Sequence, residues 1–150
     1  MSESDKIRVC IQVEAGSTES RRYNEKTLEY RGTRQVSRPY PYPYGFILET
    51  DAEDGDNVDC YLITHEKVTA GSIVECKPIG LLEQHEGEEI DHKILAALPG
   101  QEEVVNETLL QELQAFIYAI FARFPDINIR VGPLLPQEAA LDYLRAHREK

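Results

Sequence analysis

Residues 49–59, ETDAEDGDNVD, crowd six carboxylates, those of Glu49, Asp51, Glu53, Asp54, Asp56 and Asp59, into one loop between apolar runs at 45–48 and 60–63. Carboxylates this close repel one another, and a fold tolerates them more readily when a cation lies among them. Asp54, Asp56 and Asp59 are separated by one residue and then by two, and Gly55 between the first pair lets the backbone turn tightly. That spacing predicts three converging oxygen ligands, a set that suits Mg²⁺, Mn²⁺ or Ca²⁺ better than zinc or copper. An EF-hand is excluded. Counted from Asp54, its sixth and twelfth places hold Asp59 and His65 where glycine and glutamate are required. The alternative is a solvated acidic turn, and the company the loop keeps weighs against it.

Arg21, Arg22, Arg31, Arg34 and Arg38 stand ahead of the loop in a chain otherwise poor in positive charge. A planar guanidinium matches phosphate oxygens two at a time, although a charge-balancing surface is the plainer reading. Asp91 and Lys93 are two apart on a predicted strand, so an acid and a base share one face and can meet one ligand. Exposed pairs of this kind are common. Residues 38–47, RPYPYPYGFI, carry Pro39, Pro41 and Pro43, which hold the backbone extended and withhold amide donors. They are expected to form a rigid loop that fixes the phenol of Tyr44 beside the site.

A length of 150 residues sets the expectation of one domain, 1–150, and 41% hydrophobic with 29% charged residues is the makeup of a soluble globular protein. The formal charge of −11 argues against nucleic acid or an anionic membrane as partner, because either polyanion would be repelled. Cys10, Cys60 and Cys76 lack paired metal spacing and read as buried thiols in a reducing compartment. MSESDKIRV has no signal-peptide core and no apolar run is of bilayer length, so the expected location is the cytoplasm.

Short strands are expected to position these groups. The periodicity predicts them at 7–13, 21–24, 28–31, 45–48, 58–64 and 72–77, with a hairpin of 79–85 and 90–98 around EGEE. Asn106 caps an amphipathic helix running to about residue 124, where Pro125 stops it. A strand at 127–131 follows, and Pro136 in a first helical turn opens a final helix. Many strands followed by two helices predict a mainly β, α+β fold, a small closed or partly closed barrel with the helices packed outside.

IQVEAGS at 11–17, PYGFI at 43–47, DGDNVD at 54–59 and DHK at 91–93 resemble, in order and near-equal separation, the motifs of the soluble family I inorganic pyrophosphatases. The resemblance runs from about residue 7 to residue 126. It implies an OB-like five-stranded barrel, Mg²⁺ or Mn²⁺ as cofactor, diphosphate as substrate and a homo-oligomer. It further implies Asp54, Asp59 and Asp91 as metal ligands, with Glu86 where the family has another aspartate. Asp56 matches the carboxylate that helps turn water into the attacking hydroxide. Lys93 matches a phosphate-binding lysine, and Tyr44 a phenol near the site. Arg22 falls on the lysine of the family's KYE motif, and a family arginine falls at Arg31 or Arg34. Clustered cations that take up phosphate charge are what such a reaction needs.

The chain departs from that pattern at Gln12 and Glu14, where the family has Glu and Pro, and at Asn24, where it has Glu. Phe124–Pro125 replaces a Tyr-Lys pair, which removes a hydroxyl and an ammonium from the phosphate pocket. The expected activity is Mg²⁺-dependent hydrolysis of diphosphate to two orthophosphates, reduced or altered in strength. The alternatives are a different phosphoanhydride or phosphoester as substrate, and a non-catalytic phosphate- or metal-binding module.

Overall fold

A computed structural model describes residues 5–103 and 105–149. The expectation drawn from MSESDKIRV rests partly on residues 1–4, outside the described residues. In chain order the elements are β1 (Ile7–Val13), β2 (Glu19–Tyr23), β3 (Tyr30–Gln35), β4 (Tyr44–Ile47), β5 (Asp59–Leu62), β6 (Ile73–Glu86), β7 (Glu89–Ile90), β8 (Lys93–Ala97), α1 (Glu107–Phe121), β9 (Ile129–Pro136) and α2 (Gln137–Ala146). β1 pairs with β4, β4 with β5, β5 with β8, β8 with β6, and β6 returns to β1. Five strands thus form the partly closed, OB-like barrel expected from the sequence. β7 and β9 are added to β6, and β2–β3 form a separate ribbon.

β4, β5 and β8 are buried on both faces over most of their length, which is why they read as nearly continuous apolar runs. Cys60, Leu62, Ile94 and Ala96 face the core closed by Ala140 and Leu144 of α2. Tyr61 and Leu95, on the alternate face, join the core closed by Leu109, Leu113 and Ile117 of α1. Each of the fully buried leucines and isoleucines among them contributes about 1.5–3 kcal/mol. Asn106 Oδ1 accepts the Leu109 amide at 3.0 Å, the expected cap, worth about 1 kcal/mol. At Gly45 the chains run so close that a Cβ would lie 1.9 Å from the Cys10 carbonyl oxygen, so β4 reaches its place against β1 only with glycine there.

Several boundaries differ from expectation. Residues 72–77 and 79–85 belong to the one strand β6, because a register shift between Pro78 and Gly80 absorbs the proline without ending the pairing to β8. The expected strand 90–98 is interrupted at Asp91 and His92, which leave the ladder between β7 and β8. α1 stops at Phe121, before residue 124. β9 continues to Pro136, which stands outside α2 as its N-cap and not in its first turn. No helix among the described residues is long and apolar enough to cross a membrane.

Candidate active site

The acidic loop between β4 and β5 is built by its own backbone. Ala52 N–H donates to Asp56 O at 2.8 Å, Gly55 N–H to Ala52 O at 3.1 Å, and Asp56 N–H to the Asp54 carboxylate at 3.0 Å. Gly55 takes φ +88°, the left-handed conformation that the tight spacing demanded. Two other parts of the chain grip the loop. The β2–β3 turn reaches it through Lys26, whose Nζ donates to Thr50 O at 2.8 Å and pairs with Asp51, and through Glu25, which accepts the Asn57 amide at 3.0 Å. The end of α2 holds it from the other side, where Tyr143 Oη and His147 Nε2 both meet the Glu53 carboxylate, at 2.7 and 2.8 Å.

Asp59 opens β5 and Lys93 opens β8, and the parallel register sets them side by side. Lys93 is 5% exposed, and its Nζ donates to Asp59 Oδ2 at 2.7 Å and to Asp91 Oδ1 at 3.0 Å. Burial works against its charge, but the charges of Asp59 and Asp91 outweigh it, so the ammonium is held well above its usual pKa. Tyr44 opens β4, its ring centroid 5.7 Å from that Nζ. Burial pushes the Tyr44 phenol up, with Asp59 adding to the effect, so it is a neutral hydroxyl. Burial likewise raises the carboxyl of Asp91, Lys93 opposes this, and the charges of Asp59 and Asp54 add to it. Glu86, at the end of β6, is raised by burial and by Asp91. The expected acids and base therefore lie in one shared field at one end of the barrel.

Two groups of expected site residues are less tightly gathered than their spacing suggests. Among the described residues no three His, Cys, Asp or Glu side chains approach closely enough to grip one ion. The Lys93 ammonium stands between two of the expected ligands, Asp59 and Asp91, as their counter-charge. The donor set nevertheless fits a hard divalent cation, because all of it is carboxylate oxygen, and at Asp91 and Glu86, where burial and neighbouring carboxylates raise the carboxyl, a cation would offset the crowding of like charge. The arginines also separate. A cavity of about 450 Å³ beside Lys93, Asp91 and Glu86 is lined by Arg34, while Arg22 and Arg31 are exposed on the β2–β3 ribbon, and Arg31 pairs with Glu29 at 2.8 Å. Asp54 and Asp56 are exposed at the loop tip.

Other residues at the site escaped the sequence reading. Gln84, Tyr40 and Arg123 line the cavity. Glu25 brings a further carboxylate to the field from the β2–β3 turn; burial first, then Asp59 and Asp56, push it up to about 7. Its neighbour Asn24 spends its own side chain on that turn, accepting the Lys26 and Thr27 amides at 3.0 Å. Gln12 donates its amide to the Arg21 carbonyl at 3.2 Å, which a carboxylate at that position would not do. Because the folded pKa of Glu25 is raised, its stabilising share is present below the usual carboxylate range and is lost as pH rises through about 7. Discounted for partial exposure, the effect is about 1–2 kcal/mol. Glu25→Gln is therefore expected to unfold at a higher temperature than wild type in metal-free buffer at about pH 8, the gap narrowing toward about pH 5, as thermal unfolding at both values will show.

A family model described as inorganic pyrophosphatase matches residues 9–126. The inorganic pyrophosphatase of Nanoarchaeum equitans is 31% identical over 93% of this chain and 93% of its own. That of Aquifex pyrophilus is 51% identical over 38% of this chain, an alignment spanning 32% of the Aquifex protein. Among solved structures, the inorganic pyrophosphatase of Thermus thermophilus superposes with a TM-score of 0.84 at 25% identity, covering 97% of this chain and 91% of that one. The family match lies over the barrel, the acidic loop and the Asp59–Lys93–Asp91 group together, and on that ground the chain belongs to the inorganic pyrophosphatase family.

Proposed function

We propose that this chain hydrolyses inorganic diphosphate to two orthophosphates with Mg²⁺ or Mn²⁺ as cofactor. The observation that carries the reading is the buried Lys93 ammonium between Asp59 and Asp91 at the edge of a cavity that Arg34 also lines. Asp54, Asp59, Asp91 and Glu86 would hold the cation, which when bound neutralises phosphate charge and lowers the pKa of a coordinated water. Lys93 and Arg34 take up charge on the phosphate oxygens, and the neutral Tyr44 hydroxyl donates a hydrogen bond beside them. Asp56, exposed at the loop tip, accepts the proton of the attacking water. The same reading takes residues 1–150 as one domain, working as a cytoplasmic homo-oligomer, in keeping with its three buried free thiols. The test is orthophosphate release from diphosphate by the purified chain. Release with Mg²⁺ that stops on adding a chelator is expected, and no release with either Mg²⁺ or Mn²⁺ rejects the reading.

A further inference from the structure

We infer that the same centre also accepts a diphosphate carrying a nucleoside on one end, with the nucleoside lying along the C-terminal half of α1. This rests on the reading of the site given above. The cavity lining joins the charged Lys93, Asp91 and Glu86 to an apolar set from the C-terminal half of α1 and just beyond it, Phe116, Ile120, Phe121 and Phe124. A volume of about 450 Å³ is in the range of pockets that enclose a whole small molecule, more than two linked phosphates require. An inorganic diphosphate is charged at both ends and gains nothing from an apolar wall, whereas a base gains both burial and ring contact there.

Two further features favour a nucleoside over a plain hydrocarbon tail. Gln84, 2% exposed, is among the lining residues, and its Oε1 has no hydrogen-bond partner among the described residues. A rotation of that side chain toward the cavity would let a ribose hydroxyl donate to it, which an alkyl chain cannot do. Arg123 stands next to Phe124 on the cavity lining, and a guanidinium and an aromatic ring are both surfaces on which a base stacks. Phe124 itself is 52% exposed just past the end of α1, at the position where the family's tyrosine is missing.

In the reaction the oxygen of water bonds to the terminal phosphorus and the bond from that phosphorus to the bridging oxygen breaks. The bridging oxygen leaves on the nucleoside monophosphate, and the proton lost by water passes to Asp56 and on to solvent. No oxidant or second substrate is needed.

The test uses the full chain with Mg²⁺ and compares phosphate release from diphosphate, adenosine diphosphate and farnesyl diphosphate, in wild type and Phe124→Ser. Adenosine diphosphate is expected at no less than about one tenth of the kcat/KM for diphosphate, and Phe124→Ser is expected to lower the first at least roughly fivefold more than the second. Adenosine monophosphate is expected to compete with diphosphate, and less well in the variant, a readout independent of nucleotide turnover. A ratio below one tenth in wild type overturns the inference, as does a preference for farnesyl over adenosine diphosphate. An unchanged ratio in Phe124→Ser together with a changed oligomer mass also overturns it, since Phe124 then serves contact between copies. Hydrolysis of diphosphate with the nucleotide spared sinks this inference alone; no hydrolysis of either sinks the proposed function with it.

Discussion

Asp56→Asn is expected to lower kcat for diphosphate by about 10²–10⁴-fold, the range that a positioned acid or base contributes. The change should fall on kcat more than on KM, since the group acts on the attacking water and not on bound phosphate. What makes the variant informative is the local structure. The loop bonds at this residue use its backbone, with Ala52 N–H donating to Asp56 O and Asp56 N–H donating to the Asp54 carboxylate, so the turn does not depend on the Asp56 side chain. Asp56 is also exposed, and an isosteric surface replacement usually moves stability by no more than about 0.5 kcal/mol. Steady-state kinetics paired with thermal unfolding check both halves of the expectation. A variant retaining more than about one tenth of wild-type kcat would remove Asp56 from the chemistry.

The sequence carried the acidic loop well because its signal is local. The one-then-two spacing of Asp54, Asp56 and Asp59 with Gly55 inside it is a property of consecutive residues, and Gly55 adopts the positive φ that spacing required. The barrel was legible for a related reason, since strand-forming runs and turn residues alternate along the chain. What stayed hidden depends on residues far apart. Pro78 read as a strand break because nothing nearby reveals that a bulge opposite β8 absorbs it. Arg22, Arg31 and Arg34 are close in sequence, but the cavity takes only Arg34 of the three, a choice made by how the β2–β3 ribbon stands against the barrel.

Glu25 shows the same limit from the other side. In the sequence Glu25 stands beside Asn24, where the family has a glutamate, and nothing local marks it as a site residue. Contacts spanning 32 residues to Asn57 and 25 residues to Asp51 fold the turn over the acidic loop and bring Glu25 into its field. The turn therefore brings a carboxyl to the site from Glu25, one residue beyond Asn24, and the field it enters pushes that group up to about 7.

Lys93→Met is expected to destabilise the metal-free protein by about 3–5 kcal/mol, the cost of removing one partner from a buried ion pair. The ammonium is 5% exposed and is the charged donor to both Asp59 and Asp91. Methionine matches the length of the stem and fills the space, so the loss is not that of a cavity. It is electrostatic: two carboxylates that Lys93 now neutralises would face each other across a low-dielectric gap. Asp91 already has its carboxyl raised by burial with Lys93 in place to oppose the shift, and without Lys93 it would rise further. Urea unfolding should show the midpoint falling with the slope unchanged, the sign of lost stability without a change in exposed surface. Saturating Mg²⁺ should narrow the gap if the same carboxylates bind it, because binding to the native state alone adds stability. Adding Asp59→Asn to Lys93→Met should recover part of the loss, since a neutral amide next to Asp91 removes the repulsion; a double variant no more stable than the single one would place the cost in packing and not in charge.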